Sequence, residues 1–182
     1  MDIRPDIQIQ SMIKAMVDVV LPAVDPHHKM AQEQARLIIG TLQLVAKRLP
    51  VAYRYDCDEL RRYIGLAAAL VGCGAAAVDQ ELKADVERLT TAGTRLLERP
   101  CAEPVELERA AFELRAAVSQ VVQAACTTGS PTLRQAVRRL VLDAAKVELD
   151  RERALVVDMG FETDPSKRPP PIEQQLPPAA MR

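Results

Sequence analysis

Apolar residues recur three and four apart along most of the chain, the spacing of helices that each bury one face. Six stretches carry it. The first reads Ile9, Met12, Ile13, Met16, Val20; the second Met30, Ile38, Leu42, Val45, Leu49; the third Leu60, Tyr63, Ile64, Ala67, Leu70, Val71. The fourth reads Leu82, Val86, Leu89, Gly93, Leu96. The fifth is the most regular, with Leu107, Ala111, Leu114, Val118, Val121 and Ala125, and the sixth repeats it with Leu133, Val137, Leu140, Ala144 and Val147. No run of alternating β-branched residues competes. The pattern predicts helices near 6–21, 26–48, 57–73, 80–98, 104–126 and 131–158. Short connections make consecutive helices antiparallel neighbours, so the expected fold is all-α, an antiparallel up-and-down bundle.

Proline punctuates this pattern. Asp25-Pro26 and Ser130-Pro131 pair a capping side chain with proline at the first helical position, and Glu103-Pro104 is a weaker version of the same signal. Asp56 and Glu59 have the spacing of a capping box. Six of the 13 prolines follow residue 164, in Pro165, Pro169-Pro170-Pro171 and Pro177-Pro178. Proline has no amide donor and clashes inside helices, so residues 162–182 are expected to form a flexible, disordered tail after a helical domain of residues 1–161.

Composition agrees with helices. There are 27 alanines, no tryptophan and only 3% aromatic residues, whereas sheets favour aromatic and β-branched side chains. With 48% hydrophobic and 27% charged residues the chain can fill a core and cover it. Lys and Arg total 24 against 25 Asp and Glu, a balance that gives no footprint for nucleic acid or for an anionic membrane surface. The unbroken apolar stretch Ile64–Val78 is shorter than the roughly 20 residues a membrane span needs. It is apolar all round and rich in Gly and Ala, so it should lie centrally in the core or be covered by a second subunit. The opening residues, Met1 to Asp6, carry acid and no apolar run, unlike a secretory leader. Cys57, Cys73, Cys101 and Cys126 form no CxxC pair and read as reduced thiols of a cytoplasmic protein.

Several patterns approach a chemistry without completing it. Gly72-Cys73-Gly74-Ala75-Ala76-Ala77 matches the Gly-x-Gly-x-x-Ala form of a dinucleotide turn, but that turn needs a strand before it, and Gly65 to Val71 continue a helical stripe. A helix ended by glycine is the preferred reading, with no cofactor. The only histidines, His27 and His28, are adjacent and about 100° apart on a helix, which suits no shared metal ion. Cys57 sits near an expected helix start, yet Asp56 and Asp58 flank it and oppose thiolate formation. Catalytic, metal and cofactor residues are accordingly expected to be none. Arg61 and Arg62 oppose the dipole near a helix start, so they either pair with Asp58 or mark an anion site. In the sixth helix, Glu148 with Arg151 and Asp150 with Arg153 have the spacing of pairs on a solvated face.

Arg4-Pro5-Asp6, Leu21-Pro22-Ala23, and Ala31, Ala35 and Ile38-Ile39 together resemble a group of bacterial all-helical proteins of unknown function. Those occur near aminoglycoside-phosphotransferase-like kinases and acyl-CoA dehydrogenases, and the likeness covers roughly the first 50 residues. It implies an accessory role in bacterial metabolism and brings no catalytic residue. The expected function is protein–protein contact by a homodimer. The alternative is a bundle that binds an acyl or other amphipathic small molecule, with Met12, Met16, Leu66, Leu70 and Tyr63 lining it and Arg61 or Arg62 taking an anionic head group. An enzyme is the least favoured reading and would need His27 or His28 to meet an acid or thiol.

Overall fold

Residues 4–160 and 164–178 are described by a computed structural model. The main helices are α1 (Pro5–Ala15), α2 (Lys29–Arg48), α3 (Ala52–Gly72), α4 (Gln80–Glu98), α5 (Pro104–Thr128) and α6 (Pro131–Val156), followed by the short α7 (Ile172–Gln175). No strand occurs among the described residues, so the fold is all-α. None of these helices is long and apolar enough to cross a membrane. Packing divides the chain into two compact units, Met1–Ala52 with Glu152–Glu173, and Tyr53–Arg151 with Gln174–Arg182.

In the first unit α1 packs along α2. After Ala15 the chain widens into a π turn over Met16–Val20 before the helical turn Leu21–Ala23. Pro22 accounts for it. Proline lacks an amide donor and its ring collides with the carbonyl four residues back, so the preceding turn opens and the Leu21 amide donates to Met16 O, five residues away. The start of α2 differs from the sequence expectation. His28, not Asp25, caps it: His28 Nδ1 accepts from the Ala31 amide at 3.1 Å, while the Asp25 carboxylate takes the His27 amide at 2.8 Å. Pro26 therefore belongs to a turn ahead of the helix. The larger difference lies in the stripe assigned to α2. Ala35 and Ile39 are the buried residues, with Leu42 and Ala46 half-buried beside them, while Met30, Ile38, Val45 and Leu49 are exposed. At about 100° per residue, α2 carries two apolar faces, and the one read as its core face is turned outward.

The second unit holds the main core. α5 supplies its spine: Leu107, Ala111, Leu114, Val118, Val121 and Ala125 are all buried, as their spacing predicts. α4 brings Val86 and Leu89, α3 brings Leu60, Ala67 and Leu70, and α6 brings Val137. Gly93 lets α4 approach α3, since a Cβ there would stand 3.2 Å from methyl groups of both Leu60 and Ile64. The Ile64–Val78 stretch is central on one side only. Ala67, Leu70, Ala75 and Ala76 are buried, whereas Gly65, Ala68 and Gly72 are exposed. Ser130 caps α6 by accepting the Leu133 amide at 3.2 Å, and Asp79 caps α4. Asp56 and Glu59 form no capping box, because α3 begins several residues earlier, at Ala52.

Within the stretch the prolines mark as a flexible tail, residues 164–178 make several contacts. Asp164 caps a single turn, Arg153 donates to Lys167 O at 2.5 Å, and Ile172 and Leu176 are buried. Proline opposes helix, but it does not oppose docking of the apolar residues between prolines. Residues 161–163 and 179–182 lie outside the described part of that tail.

Candidate functional site

The most concentrated chemistry of the second unit is a knot of charge between α3 and α6. Arg151 is fully buried on α6. Its Nη1 donates to Glu148 Oε2 at 2.6 Å, one helical turn back, and its Nη2 lies 3.3 Å from Asp58 Oδ2 and 3.5 Å from the Tyr55 carbonyl oxygen. The guanidinium carbon stands 4.2 Å from the centre of the Tyr55 ring, a cation–π contact. Tyr55 completes the ring of contacts by donating its hydroxyl to Glu148 Oε1 at 3.2 Å. Burial first, and the Glu148 carboxylate next, push the Tyr55 phenol up to about 12, so it stays a donor. Asp58 also accepts from Arg62 Nε at 2.6 Å, with Arg61 at 3.9 Å. The buried Asp58 and the half-buried Glu148 thus meet Arg151 and the partly exposed Arg62, two acids against two cations. Within the knot, Arg151 Nε is buried without a hydrogen-bond partner.

A buried guanidinium held on several sides acts as a brace between helices. It presents no nucleophile. Arg61 and Arg62 are therefore drawn to Asp58, the first of the two roles their position allowed. Tyr63 packs against the core, and Leu70 is buried in it. Met12 and Met16 belong to the first unit, where Met12 is exposed and Met16 half-buried. Cys57 lies well inside α3 rather than in its first turn, and burial pushes its thiol up, away from thiolate. Gly72 is the last residue of α3 and Gly74 takes φ 83°, so a helix leads into the glycine pair. His28 spends Nδ1 on capping α2. Among the described residues no group of three or more His, Cys, Asp or Glu side chains is arranged to hold a metal ion.

Sequence reasoning reads Glu148 and Arg151 as a surface pair and misses the knot. The signal is present, since Arg151 falls four residues after Val147 and seven after Ala144, on the continuation of the α6 stripe. A charged residue in a core register is a buried-pair signal, and Tyr55 and Asp58, three apart on α3, are its partners.

Beside the knot, Asp56, Glu59 and Glu108 line an open cleft of about 530 Å³ with Pro104, Val105 and Phe112. Burial, then repulsion from Glu108, raises the Asp56 carboxyl; burial, then Glu148, raises that of Glu59. A carboxyl raised on folding binds its proton more tightly in the folded chain. The stabilising influence of that proton is complete below the unfolded pKa, near 4, and is lost as pH rises through the folded value. Asp56→Asn with Glu59→Gln is therefore expected to raise Tm at pH 7 by roughly 1–4 °C, an effect kept small by solvent screening. The same variant should flatten the fall in Tm from pH 4 to 6, followed by circular dichroism. An unchanged pH profile would refute the assignment.

No protein-family model, curated protein or solved structure matches this chain.

Proposed function

We propose that this protein acts through protein contacts, and that its first partner is a second copy bound through the first unit. The observation that carries the reading is the outward face of α2. Met30 is 67% exposed, Leu37 and Ile38 each 48%, Val45 43% and Leu49 40%. On a helical projection these residues share one side with Gln34 and Thr41, and the face carries no acid. α1 and its π turn add Met12, Val17, Val19 and Val20, also exposed.

From Met30 to Leu49 the face is about 28 Å long at 1.5 Å per residue. The α2 face together with the exposed residues of α1 and its π turn supplies apolar area of the order of the 800 Å² per partner typical of specific interfaces. A two-fold axis would set α1 and α2 against their copies as a four-helix arrangement, with like faces meeting and no like charges at their centre.

Sedimentation equilibrium between 1 and 100 μM provides the test. A wild-type dimer is expected, with Ile38→Glu/Val45→Glu weakening association roughly 100-fold, because each glutamate would be desolvated without a partner. Circular dichroism of the variant should remain that of the wild type. A monomeric wild type, or a variant that still dimerises, overturns the proposal.

A further inference from the structure

The C-terminal segment is seated on the second unit like a bound peptide. Leu176 is only 5% exposed, although Pro177 and Pro178 after it and Gln174 before it are exposed. Arg54, near the start of α3, holds the backbone next to that leucine. Its Nε donates to Pro177 O at 3.1 Å, and its Nη2 donates to the same oxygen at 2.6 Å and to Leu176 O at 3.3 Å. Leu176 and Pro177 lie beyond the helical turn Ile172–Gln175, which Pro177 and Pro178 cannot extend because neither has an amide hydrogen, so Arg54 reads oxygens outside the helix. One side chain is buried and one charged fork reads main-chain oxygens beside it. That is the economy of peptide recognition, in which an apolar anchor gives depth and backbone hydrogen bonds give register.

We propose that the surface around Arg54 is a peptide-binding site for a leucine followed by two prolines, supplied by a partner protein, and that residues 174–178 are its resident intramolecular competitor. Two features suit the segment to that part. Prolines on both sides of it, Pro169-Pro170-Pro171 and Pro177-Pro178, restrict the free chain, so docking costs little conformational entropy. Its hold on the second unit includes the buried Leu176 and the Arg54 fork, and Leu176 lies outside the main core cluster, so the segment can open locally while the core stays closed. Tethering gives the competitor an effective concentration of the order of millimolar. A partner segment with an intrinsic Kd near 100 μM is then weakened about ten-fold, and release of the tail restores its full affinity.

The experiment uses the full chain and a fluorescent peptide spanning residues 169–178. Leu176→Asp removes the anchor of the resident segment. In fluorescence polarisation that variant is expected to bind the peptide saturably, at least ten-fold more tightly than wild type. Adding Arg54→Gln should abolish the gain, and a peptide carrying aspartate for leucine should not bind. Hydrogen exchange on the wild-type chain gives a second reading that needs no variant to fold: excess peptide should speed exchange of the amides of Gln174 to Leu176, and the aspartate peptide should not. Equal affinity of wild type and Leu176→Asp, indifference to Arg54→Gln, or unaltered exchange with excess peptide each overturns the proposal. These readouts are independent of dimerisation through α2.

Discussion

Replacing Arg151 by methionine is expected to cost about 3–5 kcal/mol, among the largest effects available to a single substitution here. Methionine fills much of the same volume but leaves Asp58 and Glu148 without their common cation. Asp58 is nearly as buried as Arg151 and cannot recover its hydration without opening the helices. Arg62 would still reach it from a partly exposed position, which eases the loss without cancelling it. The cation–π contact with Tyr55 and the bond to its carbonyl disappear as well. Urea denaturation should show the midpoint moving while the slope stays constant, and the thermal midpoint should fall by roughly 10–20 °C. The decisive comparison is Asp58→Asn/Glu148→Gln/Arg151→Met. Once no unpaired charge remains inside, at least half of the lost stability should return. A loss below about 1 kcal/mol for Arg151→Met would mean that the knot does not brace α3 and α6.

Leu114→Ala is expected to cost about 2–5 kcal/mol, whereas Ile38→Ala should change the stability of the monomer by less than about 0.5 kcal/mol. Both residues sit on helical apolar stripes. Leu114 is fully buried among the α5 spine, so its removal leaves a cavity that close-packed neighbours only partly fill. Ile38 is half exposed and leaves none. The pair must be compared in dilute solution, because any dimer through α2 would add its own contribution to Ile38. Equal losses at the two positions would show that the outward face of α2 is buried after all.

Much of the fold is legible in the residues. α5 and α6 start where Glu103-Pro104 and Ser130-Pro131 place them, and the α5 stripe is the core spine. Local chemistry suffices for the α5 stripe, which is buried throughout, whereas α6 turns Val147, read as part of its stripe, outward at 42% exposure. α2 defeats the same reasoning. With two apolar faces, periodicity alone cannot say which one meets the protein, and the small Ala35 and Ala46 weigh less in a hydrophobic pattern than the large residues that end up outside. The knot is half legible. Spacing pairs Glu148 with Arg151, but burial depends on Tyr55 and Asp58, some ninety positions away in the chain. The docked Leu176 is hidden by its prolines, whose local message of extension says nothing about what an intervening leucine can bury.

The widened turn ahead of Pro22 leaves one residue in surplus within a helical path. Side chains before it are rotated by about one position relative to those after it, so counting in sevens from Ile9 goes out of step by Leu21. A shorter relative, missing one residue between 16 and 20 and carrying no proline at 22, would trace the same route as an unbroken rod. Alignments drawn through this stretch should therefore place their gap at the bulge, where the chain can absorb it, and not in the flanking coils.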